Sequence, residues 1–305
     1  MSSSQPMDVA VLGPGGVGGL VAALLAQAGD RVVCLAGEST VRALRERGLT
    51  VRSERFGSVS ASVGADTTLR EPADVCVICV KATQLDAALQ RVPTDAVAAG
   101  IVIPFLNGIE HVDVLRRRFG RGHVVAGTIR VESTRVAPGV IEQTSPFAAI
   151  ELGAPDSEPA AGLIARFAQR LSEVGFDVRV RADERAMLWE KLSFLAPMAL
   201  LTTHAGVPVG LARTDHRDDL LGAVHEAAAV ATCDGAAIDD AAVMQALDGV
   251  PATMQSSMQR DAAAGRELEL DAVGGAVLRI AARLDVPTPV TSRLVKDLRS
   301  RSRSA

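Results

Sequence analysis

Apolar positions in the first half of the chain follow two alternating patterns. Short apolar runs at Val9–Leu12 and Arg31–Leu35 are typical of buried strands, whereas Gly16–Gln27 and Thr40–Arg47 have the spacing of helices. Because strands that alternate with helices build a parallel sheet covered on both faces, this half is predicted to be an α/β domain.

Two more apolar runs, Val75–Val80 and Ile101–Phe105, are expected to continue the sheet, with a helix at Gln84–Gln90 between them. The β-rich pieces Gly127–Thr134 and Gly139–Thr144 are expected to be antiparallel strands that close the sheet or cover its binding cleft.

From about Asp183 the apolar spacing becomes helical and strand patterns almost disappear. Asp183 is predicted to cap a long helix that runs through Leu201. Further helices are predicted at Arg217–Cys233, Asp240–Leu247, Ala252–Ala264, Ala272–Leu284 and Thr291–Arg299. The pattern therefore predicts two domains, an α/β domain over residues 1–182 and an all-helical domain over residues 183–305.

Composition narrows the class of protein. The 305 residues are 48% hydrophobic and 22% charged with a net charge of -4, which is typical of a globular protein without a nucleic-acid or anionic-membrane partner. The apolar stretch Leu192–Leu201 is too short to span a bilayer, and Met1–Pro6 does not have the pattern of a signal peptide. We therefore expect a cytoplasmic protein.

Tyrosine is absent from the chain, which excludes a reductase that protonates its substrate through a Tyr–Lys pair. Cys76 and Cys79 have a metal-like spacing, but they fall in a buried strand, so we interpret them as core residues and predict no metal site.

A glycine-rich turn, Gly13-Pro14-Gly15-Gly16-Val17-Gly18, joins the first strand to the first helix. In that context Gly13 allows a tight turn, Gly15 lets the backbone approach a pyrophosphate, and Gly18 lets the helix pack on the strand. The motif predicts a Rossmann-type dinucleotide site, with Gly16 and Val17 at the amino end of the helix that receives the phosphates.

The choice of nicotinamide cofactor stays open at this point. Glu38 lies about 20 residues beyond Gly18, where a carboxylate favours the ribose hydroxyl of NAD over the 2'-phosphate of NADP. Ser39, Thr40 and Arg42 are nevertheless suited to receive a phosphate at the next helix amino end.

Lys191 is the first candidate for chemistry. Its neighbours along the predicted helix face are apolar: Met187, Leu188, Phe194 and Leu195. Desolvation would lower the pKa of its ammonium toward the range of a general acid. The alternative is a lysine that extends its charge to the surface beside a core helix.

Lys81 and Asn107 follow two predicted neighbouring strands, at the edge of a parallel sheet where ligands bind. Asn107-Gly108 is equally typical of a simple turn. In the helical half, Ser257 and Asp261 are predicted to share a helix face, and Glu269 precedes the next helix; capping and surface roles are the alternative for them.

Taken together, these residues resemble the ketopantoate reductase (2-dehydropantoate 2-reductase) family from Met7 to about Leu298. The resemblance is carried by the order and spacing of six elements: the glycine turn, Val80-Lys81-Ala82, Asn107-Gly108, Trp189-Glu190-Lys191, the Ser257-to-Asp261 segment and Leu268-Glu269-Leu270-Asp271.

The resemblance implies an NADPH-dependent oxidoreductase that acts on a CH-OH group, reducing the 2-keto acid ketopantoate to pantoate in pantothenate biosynthesis. It implies that Lys191 is the catalytic proton donor and that Glu269 contacts the substrate and this lysine. It also implies that Ser257 binds substrate, that Asn107 bridges cofactor and substrate, and that Lys81 lies near the phosphates and the substrate.

Two departures from the family pattern bear on specificity. Leu195 and Ala199 stand where the family usually has asparagines that hold the pantoyl group, which points to a different, more apolar 2-keto acid. Gly37 stands where the family commonly has an arginine for the 2'-phosphate, so together with Glu38 it leaves NAD as an alternative to NADP.

Two other functions are therefore kept open. One is a related 2-hydroxyacid or opine-type dehydrogenase with a different substrate, and the other is a non-catalytic dinucleotide sensor. Retention of Lys191 and Glu269 argues against the sensor. A homodimer formed through the helical domain is also left open.

Overall fold

The computed structural model describes residues 5–154 and 158–304, and the chain divides into two units. The first unit includes the chain up to Leu106 together with His111–Glu184. The second includes the four residues Asn107–Glu110 and the chain from Arg185 onward. The division that we predicted from the sequence followed residue 182, with no part of the first half assigned to the helical unit.

The strands all lie in the first unit, among the residues described. In chain order they are β1 (Asp8–Leu12), β2 (Arg31–Leu35), β3 (Leu49–Ser53), β4 (Gly57–Ala61), β5 (Gly64–Asp66), β6 (Val75–Ile78), β7 (Ile101–Pro104), β8 (Gly127–Arg130), β9 (Ser133–Ala137), β10 (Val140–Gln143), β11 (Ala149–Gly153) and β12 (Asp177–Arg181).

A five-stranded parallel sheet in the order β5-β2-β1-β6-β7 is the framework of this unit. Two smaller sheets accompany it, β4-β3-β10-β9 and β12-β11-β8. The helices of the unit are α1 (Gly16–Gln27), α2 (Glu38–Arg47), α3 (Leu85–Leu89), α4 (His111–Phe119) and α5 (Glu158–Glu173). Helix α1 is buried from Gly18 to Leu25 and shares one apolar core with β1, β6 and β7.

The second unit is helical. Its elements are α6 (Glu184–Ala205), α7 (Val209–Asp215), α8 (Arg217–Cys233), α9 (Asp240–Gly249), α10 (Ser257–Ala263), a π-helical turn at Asp271–Gly275, α11 (Ala276–Leu284) and α12 (Pro289–Ser304). Two apolar clusters fill this unit, and residues of α6 contribute to both of them. The predicted class, a Rossmann-type parallel sheet followed by a helical region, is confirmed.

Several predicted bounds were wrong. The strand expected to reach Val80 ends at Ile78, because its neighbours β1 and β7 end opposite it at Leu12 and Pro104. The piece Gly127–Thr134 is not one strand, since β8 pairs with β11 while β9 pairs with β10 in a different sheet.

The helical half also needed correction. The helix expected over Ala252–Ala264 begins at Ser257, because the Ser256 side chain caps it by accepting a hydrogen bond from the backbone N–H of Gln259. The helix expected over Ala272–Leu284 opens with the π-helical turn. Helix α12 begins at Pro289 and continues beyond the predicted Arg299 to Ser304.

No single helix in the part of the chain that the structure describes is long and apolar enough to cross a bilayer. Helices α6 and α7 pass the same test of length and composition only as a pair bent by 86°. Much of α6 is buried within the second unit.

Candidate active site

The glycine turn between β1 and α1 is held by backbone hydrogen bonds. The N–H of Gly13 donates to the carbonyl of Leu35 at the end of β2, over 3.0 Å. Gly13 has a φ of +86°, and a Cβ there would lie 2.6 Å from Cγ1 of Val80. The turn therefore requires glycine at this position both for its backbone conformation and for its contact with the residue before Lys81.

The remaining glycines of the turn divide into packed and open positions. A Cβ on Gly16 would lie 2.1 Å from the carbonyl oxygen of Ser133, and one on Gly18 would lie 2.3 Å from that of Gly13. At Gly15, by contrast, the nearest atom to a Cβ is 4.0 Å away. Glycine is thus required for packing at positions 16 and 18, whereas at position 15 it leaves space open beside the backbone.

The amino end of α1 fits an anionic group. Its N-cap residue is Gly15, which offers no side-chain hydrogen bond, and the first turn contains no acidic residue. The N–H groups of Gly16, Val17 and Gly18 lie in this first turn. A helix start of this kind suits the phosphates of a dinucleotide.

The end of β2 brings the predicted ribose-binding residues next to the turn. Gly37 is the N-cap of α2 and Glu38 is its first residue, and both are exposed. A Cβ on Gly37 would meet no atom within 4 Å. Glu38 follows the end of β2, which is the strand end that Gly13 contacts through the Leu35 carbonyl.

Lys81 follows β6 at this edge as well. It is half-buried, and its backbone is extended before the short 3-10 turn Ala82–Gln84. The preceding residue, Val80, is the one that contacts Gly13. Lys81 therefore directly follows a residue that contacts the glycine turn.

Asn107 and Glu269 are in direct contact. The amide Nδ2 of Asn107 donates to Oε2 of Glu269 over 3.1 Å. Both side chains are half-buried. The next residue, Gly108, has a φ of +85°, and a Cβ there would lie 2.3 Å from the carbonyl oxygen of Ala272. The Asn-Gly dipeptide is therefore more than a turn, because within the second unit it contacts the segment that carries Glu269.

Lys191 lies in the first half of α6 and is half-buried. Of its predicted neighbours along the helix, Met187 and Leu188 are buried, while Phe194 and Leu195 are partly buried and pack on the apolar clusters of the unit. The positions one turn before and one turn after Lys191 on the helix are therefore apolar.

The two positions where the family commonly has asparagine differ in burial. Leu195 is half-buried and lies one turn beyond Lys191. Ala199 is 2% exposed and belongs to an apolar cluster that includes Met198 and Leu200. Both positions therefore present hydrocarbon where an amide would offer hydrogen bonds.

Ser257 is exposed at the first position of α10. Its neighbour Ser256 is buried, caps the helix and shares a hydrogen bond of 3.0 Å with the Thr202 hydroxyl of α6. The sequence singled out Ser257 and gave no role to Ser256. Ser256 therefore stabilises the start of α10, whereas Ser257 is accessible to a ligand.

No cluster of three or more His, Cys, Asp or Glu side chains in residues 5–154 and 158–304 is suited to a metal ion. Burial raises the pKa of the Cys34 and Cys76 thiols to about 12, so these thiols are protonated at neutral pH.

A parallel sheet with a glycine turn at its carboxyl edge defines an α/β protein of the dinucleotide-binding class. Residues 9–157 match the family model described as ketopantoate reductase PanE/ApbA, and residues 183–302 match the model of the C-terminal part of that family. The chain therefore belongs to the ketopantoate reductase family, which is a family of oxidoreductases.

Relatives of full length support this assignment. A 2-dehydropantoate 2-reductase of Mycobacterium tuberculosis is 30% identical over 300 residues, covering 94% of this chain and 95% of the relative. An uncharacterized oxidoreductase of Bacillus subtilis is 28% identical over 300 residues, covering 96% and 98% of the two chains.

Solved structures share the fold. A ternary structure of D-mandelate dehydrogenase with NADH and anilino(oxo)acetate has a TM-score of 0.88 at 22% identity, covering 98% of this chain and 99% of the other. A 2-dehydropantoate 2-reductase of Geobacter metallireducens has a TM-score of 0.85 at 24% identity, covering 96% and 99%.

Proposed function

We propose that this protein reduces a 2-keto acid to a 2-hydroxy acid with a reduced nicotinamide dinucleotide. The observation that carries the proposal is the hydrogen bond between Asn107 and Glu269, which joins two polar side chains of the second unit that are far apart in the sequence. Such a polar pair is what a site needs to orient a small keto acid.

In this proposal the dinucleotide is held by the backbone of Gly13, Gly15, Gly16, Val17 and Gly18, with Lys81 and Asn107 as further contacts. When bound, the nicotinamide supplies a hydride to the keto carbon. The open space beside Gly15 and the uncapped amino end of α1 support this use of the turn.

The chain itself must supply a proton to the keto oxygen. We assign this step to the ammonium of Lys191, which is half-buried on α6. Glu269 is assigned to the substrate and to the orientation of Lys191, while Asn107 and Ser257 hold the substrate. After the transfer, the neutral amine of Lys191 takes a proton from solvent.

The first candidate substrate is ketopantoate, which is the substrate that the names of several relatives carry. In that case the protein serves pantothenate biosynthesis in the cytoplasm, as the sequence predicts. The family match over both halves of the chain supports this candidate.

A second candidate is a 2-keto acid with an apolar or aromatic substituent. Leu195 is partly exposed one turn beyond Lys191, and Ala199 is apolar as well. An apolar wall favours a hydrocarbon group and leaves a substrate hydroxyl without a partner. The likeness to a mandelate dehydrogenase fold is compatible with this substrate class.

For the cofactor, the family resemblance favours NADPH, whereas the residues at the end of β2 favour NADH. Glu38 is exposed at the start of α2, and Gly37 provides no cation for a 2'-phosphate. We propose that NADH is accepted alongside NADPH, as in the mandelate dehydrogenase structures that contain NADH.

The test is steady-state oxidation of NADPH and NADH by the purified protein, with ketopantoate and 2-oxo-2-phenylacetate as parallel substrates. Turnover of ketopantoate with the higher kcat/KM supports the first candidate, and a preference for the aryl acid supports the second. Cofactor binding without turnover of any 2-keto acid would leave the non-catalytic sensor as the function.

A further inference from the structure

The segment Asn107–Glu110 lies between β7 and α4 in the chain. Each of its four residues contacts another residue of the second unit. Asn107 donates to Glu269, and the backbone of Gly108 lies against the carbonyl of Ala272. Ile109 packs on the apolar cluster that contains Trp189 and Val273. Four consecutive contacts, the last at Glu110, thus join this segment to the other residues of the second unit.

The last of these contacts is an ion pair with Arg279 of α11. The Arg279 guanidinium donates from Nη2 to Oε2 of Glu110 over 2.5 Å and from Nε to Oε1 over 3.1 Å. This is the forked geometry in which an arginine binds both oxygens of a carboxylate.

The same guanidinium also binds Asp271. Its Nη1 lies 3.0 Å from both carboxylate oxygens of Asp271, and its Nη2 donates to the backbone carbonyl of Asp271 over 2.9 Å. Arg299 of α12 adds a second cation, 3.0 Å from Oδ1 of Asp271. Arg279 therefore joins Glu110 to the first residue of the π-helical turn.

The carboxylates that Arg279 binds lie close in sequence to Asn107 and Glu269. Glu110 lies three residues after Asn107, and Asp271 lies two residues after Glu269. The segments Asn107–Glu110 and Glu269–Asp271 are therefore linked at both ends. The Asn107–Glu269 hydrogen bond links their first residues, and the Arg279 guanidinium links their last residues. Single exposed ion pairs contribute little, but a forked arginine with two carboxylates and a carbonyl restrains geometry more effectively.

We propose that Arg279 and Glu110 are positioning residues, which keep Asn107 within hydrogen-bonding distance of Glu269 and so set the geometry of the substrate site. The effect on catalysis rests on the proposed function, whereas the structural restraint does not. Neither residue touches the reacting atoms in this proposal; both act through Asn107.

The chain offers a matched control. Arg217 of α8 forms a similar forked pair with Asp248, at 2.6 and 3.0 Å, in another part of the helical unit. Arg217→Met removes an exposed ion pair of the same kind without touching the Asn107 segment. Glu110→Gln provides a second, milder variant in case Arg279→Met does not fold.

The experiment is hydrogen–deuterium exchange of the full chain, read by mass spectrometry, together with steady-state kinetics. In Arg279→Met and Glu110→Gln we expect amide exchange over residues 107–112 to be at least about fivefold faster than in the wild type, with Arg217→Met unchanged. We expect kcat to fall about tenfold, with a smaller rise in the Kd of the reduced dinucleotide because Asn107 is only one of its proposed contacts. Arg279→Lys should restore part of kcat, because lysine keeps the charge but not the fork.

Unchanged exchange over residues 107–112 in both variants would overturn the restraint. Faster exchange with an unchanged kcat would overturn the positioning role. If the wild type reduces no 2-keto acid, the proposed function fails, and the exchange measurement still decides whether Arg279 restrains the segment.

Discussion

Asn107 and Glu269 are hydrogen bonded over 3.1 Å although 162 positions separate them in the chain. The contact explains why a segment that follows a strand of the parallel sheet belongs with the helices. It also gives the Glu269 carboxylate a neutral amide donor, which orients the carboxylate without cancelling its charge.

Removal of the Glu269 charge is the first test of this pair. Glu269→Gln keeps the size of the side chain and loses the carboxylate, so we expect kcat/KM for the keto acid to fall about 10²-fold. Steady-state kinetics checks this, with Glu267→Gln as the control, because Glu267 is an exposed glutamate two residues before Glu269. Equal kcat/KM in the two variants would show that Glu269 has no role in turnover.

Leu195 is predicted to set substrate preference. Leu195→Asn places an amide one turn beyond Lys191, so we expect the ratio of kcat/KM for ketopantoate to that for 2-oxo-2-phenylacetate to rise at least about tenfold. The control is Leu211→Asn, because Leu211 is an exposed leucine of α7 in the same unit. A ratio that moves equally in both variants would remove Leu195 from the substrate site. Ala199 is a poorer choice for this test, since an asparagine would be buried there.

Gly15 provides a test of the dinucleotide turn that is independent of turnover. Its φ of -80° is accessible to alanine, so Gly15→Ala should lower the free energy of unfolding by no more than about 1 kcal/mol. The new methyl group would occupy the open space beside the turn, and we expect the Kd of the dinucleotide to rise at least about tenfold.

Calorimetric titration and thermal unfolding measure the two quantities on the same sample. Gly162→Ala on α5, where a Cβ meets nothing within 4 Å, is the control and should leave the Kd unchanged. A wild-type Kd in Gly15→Ala would mean that the phosphates bind elsewhere.

Glu38 is predicted to oppose the 2'-phosphate of NADP. Replacing it by arginine substitutes a cation that pairs with phosphate, so Glu38→Arg should raise the NADPH-to-NADH ratio of kcat/KM by about tenfold or more. Glu46→Arg, at the exposed far end of the same helix α2, controls for net charge. The assignment fails if both substitutions change the ratio to the same extent.

Much of the fold could be predicted from local patterns. The bounds of α1, β2 and α8 agree with those expected, because apolar runs there are separated by glycine or polar turns. The β3–β4 hairpin was missed, since its strands carry many polar residues and it joins β10, which is distant in sequence. Local periodicity also could not show that β8 and β9 belong to different sheets.

In the candidate site too, local patterns identified individual residues but not the contacts between distant segments. Motif order was enough to single out Asn107 and Glu269 separately, but their contact depends on how distant segments pack. Glu110 and Arg279 were missed because, in the sequence, they are ordinary charges, Glu110 in the turn before α4 and Arg279 on α11. Of the residues that Arg279 binds, only Asp271 had been noted from the sequence, as part of the motif that contains Glu269. The roles in binding and catalysis of Lys191, Glu269, Asn107, Ser257 and Lys81 all stay predictions.

The most direct test concerns Lys191, the proposed proton donor. Lys81, Lys191 and Lys296 are the lysines of the chain, and Lys296 is exposed on α12, which makes it a matched control. We would measure kcat for the preferred 2-keto acid in the wild type, in Lys191→Met and in Lys296→Met, together with the Kd of the reduced dinucleotide. We expect Lys191→Met to lose at least about 10²-fold in kcat with its Kd unchanged, and Lys296→Met to keep both values. A kcat in Lys191→Met equal to that of the wild type would contradict the proposed mechanism.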